Sequence, residues 1–218
     1  MAGIISMASA KGGCSKTTLS VGLGAELALM GVKVTVLDAD LNQHATKFGE
    51  KAAITGFTVV GEVTETNVLG EIRKANETSD LVIVDLPGGS SMLALKAMQR
   101  SHLVVIPSQQ SLLDARDAIK TVDQIEDASE ACGRVIPRAI LWSRVMQGFE
   151  SRPAKKVRAT VEGSGTPIFR AALLNRVSLQ EMFLVGKALS QINVKDPGAA
   201  NLKTIAEELM SRLEALAT

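Results

Sequence analysis

The sequence predicts an α/β protein, a three-layer α/β/α sandwich with a mostly parallel central sheet. Short aliphatic, β-branched runs alternate with longer segments of helical apolar spacing, which is typical of parallel strands covered on both faces. Hydrophobic residues make up 46% of the 218 residues and aromatic residues only 3%, so we expect an aliphatic core. No linker or repeat interrupts the pattern, and we expect a single domain over residues 1–218.

The elements are predicted from local patterns, in chain order. Residues 3–8 form a short apolar run before a Gly-rich turn, and residues 17–30 have helical spacing that Gly31 ends. Further strands are predicted at residues 32–37, 81–84, 103–106, 135–142 and 168–174. Further helices are predicted at residues 68–76, 91–100, 112–132, 149–162, 179–189 and 199–216. Residues 46–61 have no decisive pattern.

Charge and cysteine content restrict the class of protein. The net charge is +1, so any affinity for nucleic acid must come from a local patch. Cys14 and Cys132 form neither a disulfide framework nor a metal-ligand cluster, which favours a reducing compartment. The apolar N-terminus is too short to span a membrane and lacks a basic segment and a cleavage site. We therefore expect a cytoplasmic protein.

A phosphate-binding loop is predicted between the first strand and the first helix, at Lys11-Gly12-Gly13-Cys14-Ser15-Lys16-Thr17-Thr18. Gly12 and Gly13 allow backbone N–H groups to approach a polyphosphate at the positive end of the helix. Lys16 is placed to reach the terminal phosphates, and Thr17 to bind Mg²⁺ through its hydroxyl. The alternative is an ordinary Gly-rich turn with solvated lysines, which does not explain why Lys-Thr-Thr opens a helix.

Carboxylates follow the ends of two later strands. Asp38 and Asp40 follow the second strand, and Asp85 ends the apolar run Leu81-Val82-Ile83-Val84. Ligands of open α/β sheets gather at this edge. Asp85 has the form of a Walker B acid and would hold Mg²⁺, through water. Asp38 and Asp40 have a plainer alternative, which is to cap the next helical turn.

These motifs resemble the ParA/MinD superfamily of ATPases. KGGCSKTT is similar to its deviant Walker A motif, KGGxGK[ST]T, and LDADLNQHAT to its DxDPQ…T segment. Pro87-Gly88-Gly89 resembles its second switch, VVIPSQQSLLD its IPxxPSxxD stretch, with Asp114 at the acidic position, and RVSLQEMFLVGKAL its C-terminal pattern. The likeness extends over nearly the whole chain and implies a P-loop NTPase fold that binds ATP or ADP with Mg²⁺.

The resemblance also implies roles for single residues. Lys11 would be the signature lysine, which reaches the partner's phosphates in an ATP-sandwiched homodimer. Thr18 would help to hold the α-phosphate, Asp40 would orient or activate the attacking water, and Asp38 would support Mg²⁺ and its loop. The catalytic group would then comprise Lys11, Lys16 and Asp40, and the metal site would comprise Thr17, Asp38 and Asp85.

Ser15, Cys14 and the residues at the end of a later strand are also expected to lie near the nucleotide. The family usually has Gly where this chain has Ser15, and a Cβ there would strain the loop if the position needs an unusual φ. Slower hydrolysis or weaker nucleotide binding would follow. Trp142 or Ser143 is a candidate contact for adenine, although Trp142 is equally a core residue. Cys14 is interpreted as a structural member of the loop.

A basic stretch suggests binding to DNA. From Arg134 to Arg176 there are nine basic residues against two acids. A basic run is more often a solvated helix face, but the resemblance favours nonspecific DNA binding in the ATP-bound state. The predicted contacts are Arg152, Lys155, Lys156, Arg158 and Arg176.

The sequence therefore predicts a partition or positioning ATPase of the ParA type, associated with the nucleoid and stimulated by a ParB-like or cargo adaptor protein. The chain length leaves no room for an N-terminal helix-turn-helix domain. A MinD-like membrane cycle is one alternative, but the acidic tail of residues 201–218 argues against membrane binding. The other alternative is a nucleotide-binding dimerisation scaffold with little hydrolysis, because of Ser15.

Overall fold

The computed structural model describes residues 3–148 and 151–217. Six strands form one sheet in the order β3-β2-β4-β1-β5-β6, and every neighbouring pair is parallel. The strands are β1 (Gly3–Ser9), β2 (Val34–Asp38), β3 (Phe57–Val60), β4 (Leu81–Gly88), β5 (Leu103–Ser108) and β6 (Arg138–Trp142). The predicted α/β/α sandwich is confirmed.

Helices cover both faces of this sheet. They are α1 (Lys16–Leu29), α2 (His44–Gly49), α3 (Val68–Thr78), α4 (Met92–Met98), α5 (Leu112–Cys132), α6 (Arg152–Glu162), α7 (Ser178–Val185), α8 (Leu189–Ile192) and α9 (Pro197–Ala217). The undecided stretch of residues 46–61 contains most of α2 and all of β3. Phe149, which the prediction included in α6, lies outside the described residues.

Alternate residues of the central strands enter two separate cores. Ile5 and Met7 of β1 pack with α1, α8 and α9, whereas Ile4 and Ala8 pack with α3, α4 and α5. This alternation is what a strand buried on both faces requires. On the first face α1 packs very close to the sheet, since a Cβ at Gly24 would lie 2.9 Å from the Phe57 ring.

The predicted strand at residues 168–174 is wrong. The described structure has only two isolated bridges there, between Ile140 and Ile168 and between Val145 and Leu174. Phe169 N and Leu173 N still donate to β6, but side chains of α9 take other N–H groups of the segment: Glu208 accepts from Ala171 at 2.9 Å, and Asn201 accepts from Leu174 at 2.9 Å. The segment is apolar but is fastened to a helix.

The predicted helix at residues 179–189 is divided in two. Its first part, α7, ends at Gly186, which has a φ of 66°. The short α8 then follows, and its N-terminal turn is capped by the buried Glu26 of α1, whose carboxylate accepts from Ser190 N at 2.9 Å and from Ser190 Oγ at 2.6 Å. The C-terminal half is thereby joined to the helix that begins at the P-loop.

Candidate nucleotide-binding site

The predicted phosphate-binding loop lies between β1 and α1. Ala10 N at its start donates to Thr121 Oγ1 of α5 at 2.9 Å. Lys11, Gly12 and Gly13 are exposed, whereas Cys14 is buried, as a structural role requires. Exposed backbone N–H groups therefore precede a helix of 14 residues, which is an arrangement that binds phosphate.

Ser15 has the unusual φ that the sequence analysis considered for this position. Its φ is 77° and its ψ is 23°, in the left-handed region. A residue with a Cβ loses on the order of 1 kcal/mol in this conformation, which glycine adopts freely. The departure from the family pattern therefore falls at a strained position. The Ser15 hydroxyl caps no helix N–H but accepts from Arg144 Nε at 3.4 Å.

The two lysines of the loop lie in different surroundings. Lys16 is buried, and its Nζ donates to the carbonyl oxygen of Lys11 at 3.3 Å. The Lys11 ammonium forms an ion pair with Asp114 Oδ1 at 2.9 Å. The hydrogen bond that Lys11 donates to Asp114, and then the charge of Asp114, raise the pKa of Lys11. Lys11 is thus held at the rim of the site by a residue 103 positions away.

Asp114 has a second task at the start of α5. Its N–H donates to Ser111 Oγ at 3.1 Å, and the Ser111 hydroxyl donates back to its carboxylate. Sequence reasoning gave Asp114 no functional role. A serine followed three residues later by an acid marks a helix start, but it does not indicate an ion pair with the loop.

Asp85 lies at the centre of the site, beside Asp38 in the register of β2 and β4. It is completely buried, and its Oδ1 accepts from Ser20 Oγ at 3.0 Å. Among the described residues its Oδ2 has no hydrogen-bond partner. Burial raises its pKa to about 7, against lowering by the Thr17 and Ser20 hydroxyls.

This environment fits a magnesium ion. The buried carboxylate oxygen has no hydrogen-bond donor and lies next to a threonine hydroxyl. Mg²⁺, directly or through a bound water, would supply the missing partner. Asp85 and Thr17 are the residues that would hold the ion. The assignment remains a prediction.

Asp38 and Asp40 organise the loop that follows β2. Asp38 Oδ2 accepts from Thr46 N at 2.8 Å and from Thr46 Oγ1 at 2.9 Å, and its Oδ1 accepts from Asp40 N at 3.2 Å. Asp40 Oδ1 accepts two bonds from Asn42. The capping alternative therefore has structural support for Asp38, whereas its role toward Mg²⁺ and that of Asp40 toward water remain predictions.

The predicted second switch contacts the loop through the backbone. Ser9 of β1 is in register with Gly88, and Gly89 N donates to Ser9 O at 3.1 Å. A Cβ at Gly88 would lie 3.1 Å from Gly12 N and 3.2 Å from the carbonyl carbon of Lys11. A Cβ at this position would press on the loop backbone, so movement at Gly88 bears directly on the phosphate-binding loop.

The end of β6 approaches the loop from the other side. Trp142 is 1% exposed and belongs to the core on the α5 and α6 side. Ser143 is buried, and its Oγ donates to the carbonyl oxygen of Cys14 at 3.0 Å. Arg144 is exposed and, with Ser143, lines a cavity of about 260 Å³ between the starts of α5 and α6.

The predicted DNA contacts divide into two groups. Arg152, Lys155 and Lys156 are exposed on α6, whose opposite side buries Ala154, Val157 and Val161. Arg158 and Arg176 are partly buried, and Arg176 donates to Gln147. The first group therefore forms a solvent-facing basic face, which we call the α6 basic face.

Comparison with known proteins decides the family. A model of the VirC1 protein family matches residues 2–216. The chain belongs to the VirC1 family, within the ParA/MinD superfamily of ATPases. It is 30% identical to protein ParA of Rhizobium radiobacter over 198 residues, which cover 90% of this chain and 89% of that protein. The resemblance seen in the sequence is confirmed.

Two further matches support the same superfamily. The chromosome-partitioning ATPase Soj of Thermus thermophilus is 27% identical over 242 residues, covering 96% of each chain. The septum site-determining protein MinD of Pyrococcus horikoshii, solved with Mg-ADP, has a TM-score of 0.75 at 20% identity and covers 96% of each chain. Partition and positioning ATPases are thus among the homologues of this VirC1-family chain.

Within residues 3–148 and 151–217, no helix has the length and apolar character needed to cross a bilayer.

Proposed function

We propose that this VirC1-family chain binds ATP with Mg²⁺, closes into a homodimer around the nucleotide, binds DNA nonspecifically in that state and hydrolyses ATP while partitioning or positioning a cargo. The observation that carries the proposal is the different placement of the two loop lysines. Lys16 is buried inside the loop, whereas Lys11 lies at its exposed rim. Lys16 would thus bind the phosphates of the nucleotide in its own subunit, and Lys11 would reach the nucleotide of a second subunit.

The residues of the site divide the work of phosphoryl transfer. The loop N–H groups and Lys16 would fix the polyphosphate, with Thr18 at the α-phosphate. Mg²⁺, when bound by Thr17 and Asp85, supplies positive charge at the phosphates. Asp40 would orient the attacking water, held in place by the loop that Asp38 anchors. Lys11 would leave Asp114 to reach the nucleotide across the dimer.

Exposed apolar side chains support a dimer at this face. Leu41 is 96% exposed in the loop after β2, and Met92 begins α4 after β4 at 53%. Leu112 and Leu113 begin α5 after β5, at 55% and 64%. All four follow the carboxyl ends of β2, β4 and β5, at the edge of the sheet where the loop after β1 also lies. Apolar residues gathered around a polar site are typical of an interface.

The α6 basic face supports DNA rather than a membrane. Its three cations are exposed on one side of the helix, at positions i, i+3 and i+4. A membrane cycle would need a free apolar helix face, but α9 buries Leu202, Ile205 and Leu209 in the core. We therefore favour a ParA-type DNA cycle, with hydrolysis stimulated by a partner protein.

The DNA surface is tested by reversing the charge of Arg152, Lys155 and Lys156 to Glu together. Affinity for a random-sequence duplex with ATP is expected to fall, and the slope of log affinity against log salt to flatten by about three, since each lost phosphate contact removes about 0.9. ATP binding should be unchanged. The matched control reverses Arg73, Lys74 and Arg100, which are exposed on α3 and after α4. Equal losses in both triple variants would contradict the α6 surface.

The dimer is tested by light scattering after gel filtration with ATP and Mg²⁺. The wild-type chain should double its mass, and Lys11→Ala should remain a monomer while it retains nucleotide. A Lys11→Ala chain that still dimerises with ATP would remove the role proposed for this lysine.

Strain at Ser15 favours a second candidate, a nucleotide-binding dimerisation scaffold with little turnover. The two functions are separated by phosphate release measured with ATP, with and without DNA. Dimerisation and DNA binding without release above the background of a Lys16→Ala variant would favour the scaffold.

A further inference from the structure

Two consecutive residues of the phosphate-binding loop are bonded to two consecutive residues after β6. Ser143 Oγ donates a buried hydrogen bond of 3.0 Å to the carbonyl oxygen of Cys14. Arg144 Nε donates to Ser15 Oγ at 3.4 Å. Residues 143 and 144 begin the connection that precedes α6 in the chain. The loop is therefore fastened to the segment that leads to the α6 basic face.

The second of these bonds joins two residues with left-handed backbones. Ser15 has a φ of 77° and Arg144 a φ of 53°. Residues with a Cβ stay in this region only where their surroundings hold them. A change that withdraws one partner therefore alters the support of the other, which makes the pair sensitive to the state of the loop.

A phosphate group would compete with Ser15 for this guanidinium. The bond to Ser15 is long and its acceptor is a neutral hydroxyl, whereas phosphate oxygens accept stronger, charge-assisted and bidentate bonds from arginine. Arg144 is exposed and lines the cavity of about 260 Å³ between the starts of α5 and α6, so its side chain has space to turn.

We propose that Arg144 is a positioning residue that couples the presence of a γ-phosphate in the phosphate-binding loop to the α6 basic face. Without a γ-phosphate, whether the loop is empty or holds ADP, Ser15 holds the guanidinium. The γ-phosphate of ATP draws it away from Ser15, and the connection that contains Ser143 and Arg144 shifts with it, so that α6 is presented to DNA. The inference rests on the proposed function, because it explains how ATP controls DNA binding.

A simpler role for Arg144 makes a different prediction. If it were one more cation that contacts DNA, its removal would weaken DNA binding by the same factor with ATP and with ADP. Removal of the Ser15 hydroxyl would then leave DNA binding unchanged. Coupling requires both substitutions to change the ratio of the two affinities.

The experiment is a double-mutant cycle on the full chain. The variants are Arg144→Asn, chosen because asparagine tolerates a left-handed backbone, Ser15→Ala, which removes only the hydroxyl, and their combination. Arg152→Asn is the matched control, since it removes a cation of α6. Each protein is titrated with a fluorescent ATP analogue and Mg²⁺ without DNA, and then with a labelled random-sequence duplex in ATP and in ADP.

Arg144→Asn is expected to weaken binding of the ATP analogue about tenfold, as for loss of a charge-assisted bond, and to remove most of the difference in DNA affinity between ATP and ADP. Ser15→Ala is expected to strengthen DNA binding in ADP, because the guanidinium is released. The double variant should match Arg144→Asn in both assays. Arg152→Asn should weaken DNA binding equally in both nucleotides.

Additive effects, or affinity for the analogue within twofold of wild type in Arg144→Asn, would overturn the proposal. If Arg144→Asn does not fold, Arg144→Gly replaces it, since glycine adopts this backbone freely. If the wild-type chain binds no DNA with ATP, the proposed DNA function fails. Non-additivity in the analogue titration would then still establish that Arg144 responds to the phosphates, and additivity would refute it.

Discussion

Replacement of Asp85 by Asn tests the electrostatics at the centre of the site. The carboxylate is completely buried, and burial raises its pKa from 3.8 to about 7. The folded chain therefore binds a proton more tightly than the unfolded chain does. The stability that this group contributes is present at low pH and is lost as the pH rises from about 4 through 7. A carboxylate whose pKa is lowered by an ion pair has the opposite pH dependence.

The magnitude follows from the size of the pKa difference. Each pH unit between the ordinary and the buried value is worth about 1.4 kcal/mol, so the ionised Asp85 lowers the free energy of unfolding by about 4 kcal/mol at pH 8. At pH 5 the loss is less than about 2 kcal/mol. Asn keeps an oxygen for the Ser20 hydroxyl and has no charge, so Asp85→Asn should be more stable than wild type, by more at pH 8 than at pH 5.

The assay is urea unfolding of nucleotide-free protein at pH 5 and pH 8, followed by circular dichroism. Asp127→Asn, an exposed substitution on α5, is the matched control and should show no such difference. Addition of ATP and Mg²⁺ should stabilise wild type and not Asp85→Asn, because the ligand for the ion is gone. A gain in stability that is absent, or equal at both pH values, would refute the account of Asp85 as a buried carboxylate whose ionisation destabilises the fold.

Three further substitutions test single contacts. Ser15→Gly should raise the free energy of unfolding by about 0.5–1 kcal/mol, because glycine has no Cβ to strain the left-handed backbone, and should speed phosphate release. Ser15→Ala keeps the Cβ and should not raise the free energy of unfolding. Equal urea midpoints for wild type and both variants would contradict the strain. Asp114→Asn should allow ATP-dependent dimers at an ATP concentration lower by about two- to fivefold, because the half-exposed Lys11 is released from its ion pair with a buried carboxylate. Light scattering would show the change, and an unchanged ATP dependence would argue against this release. Gly24→Ala should destabilise the fold by about 1–3 kcal/mol in urea, because the new methyl group meets the Phe57 ring; an unchanged midpoint would show that the ring moves aside at no cost.

The sequence predicted those parts of the molecule whose determinants are local. Strand β1, the Gly-rich loop and α1 are contiguous, so spacing and residue type were sufficient to predict them. The strain predicted at Ser15 also depended on a single position, where this chain has a Cβ and the family has Gly. The φ of 77° confirms it. The aliphatic alternation of the strands likewise predicted a sheet covered on both faces.

Contacts between distant residues were not predictable in this way. Lys11 and Asp114 are separated by 103 positions, and Ser15 and Arg144 by 129. No spacing rule joins such pairs, because their meeting depends on how β5 and β6 are placed beside β1. The strand predicted at residues 168–174 was wrong for the same reason, since side chains of α9 interrupt its pairing with β6 by accepting from Ala171 N and Leu174 N.

The buried side chain at the end of β6 gives the protein its own optical reporter. Trp142 is the only tryptophan in a chain without tyrosine, so light absorbed near 295 nm excites this indole alone. Its neighbour Ser143 is bonded to the phosphate-binding loop, and the indole itself is 1% exposed. A shift in emission on addition of nucleotide can therefore be followed in stopped flow without any label. Its rate would measure how fast a change in the loop reaches the end of β6, from which the chain continues to α6.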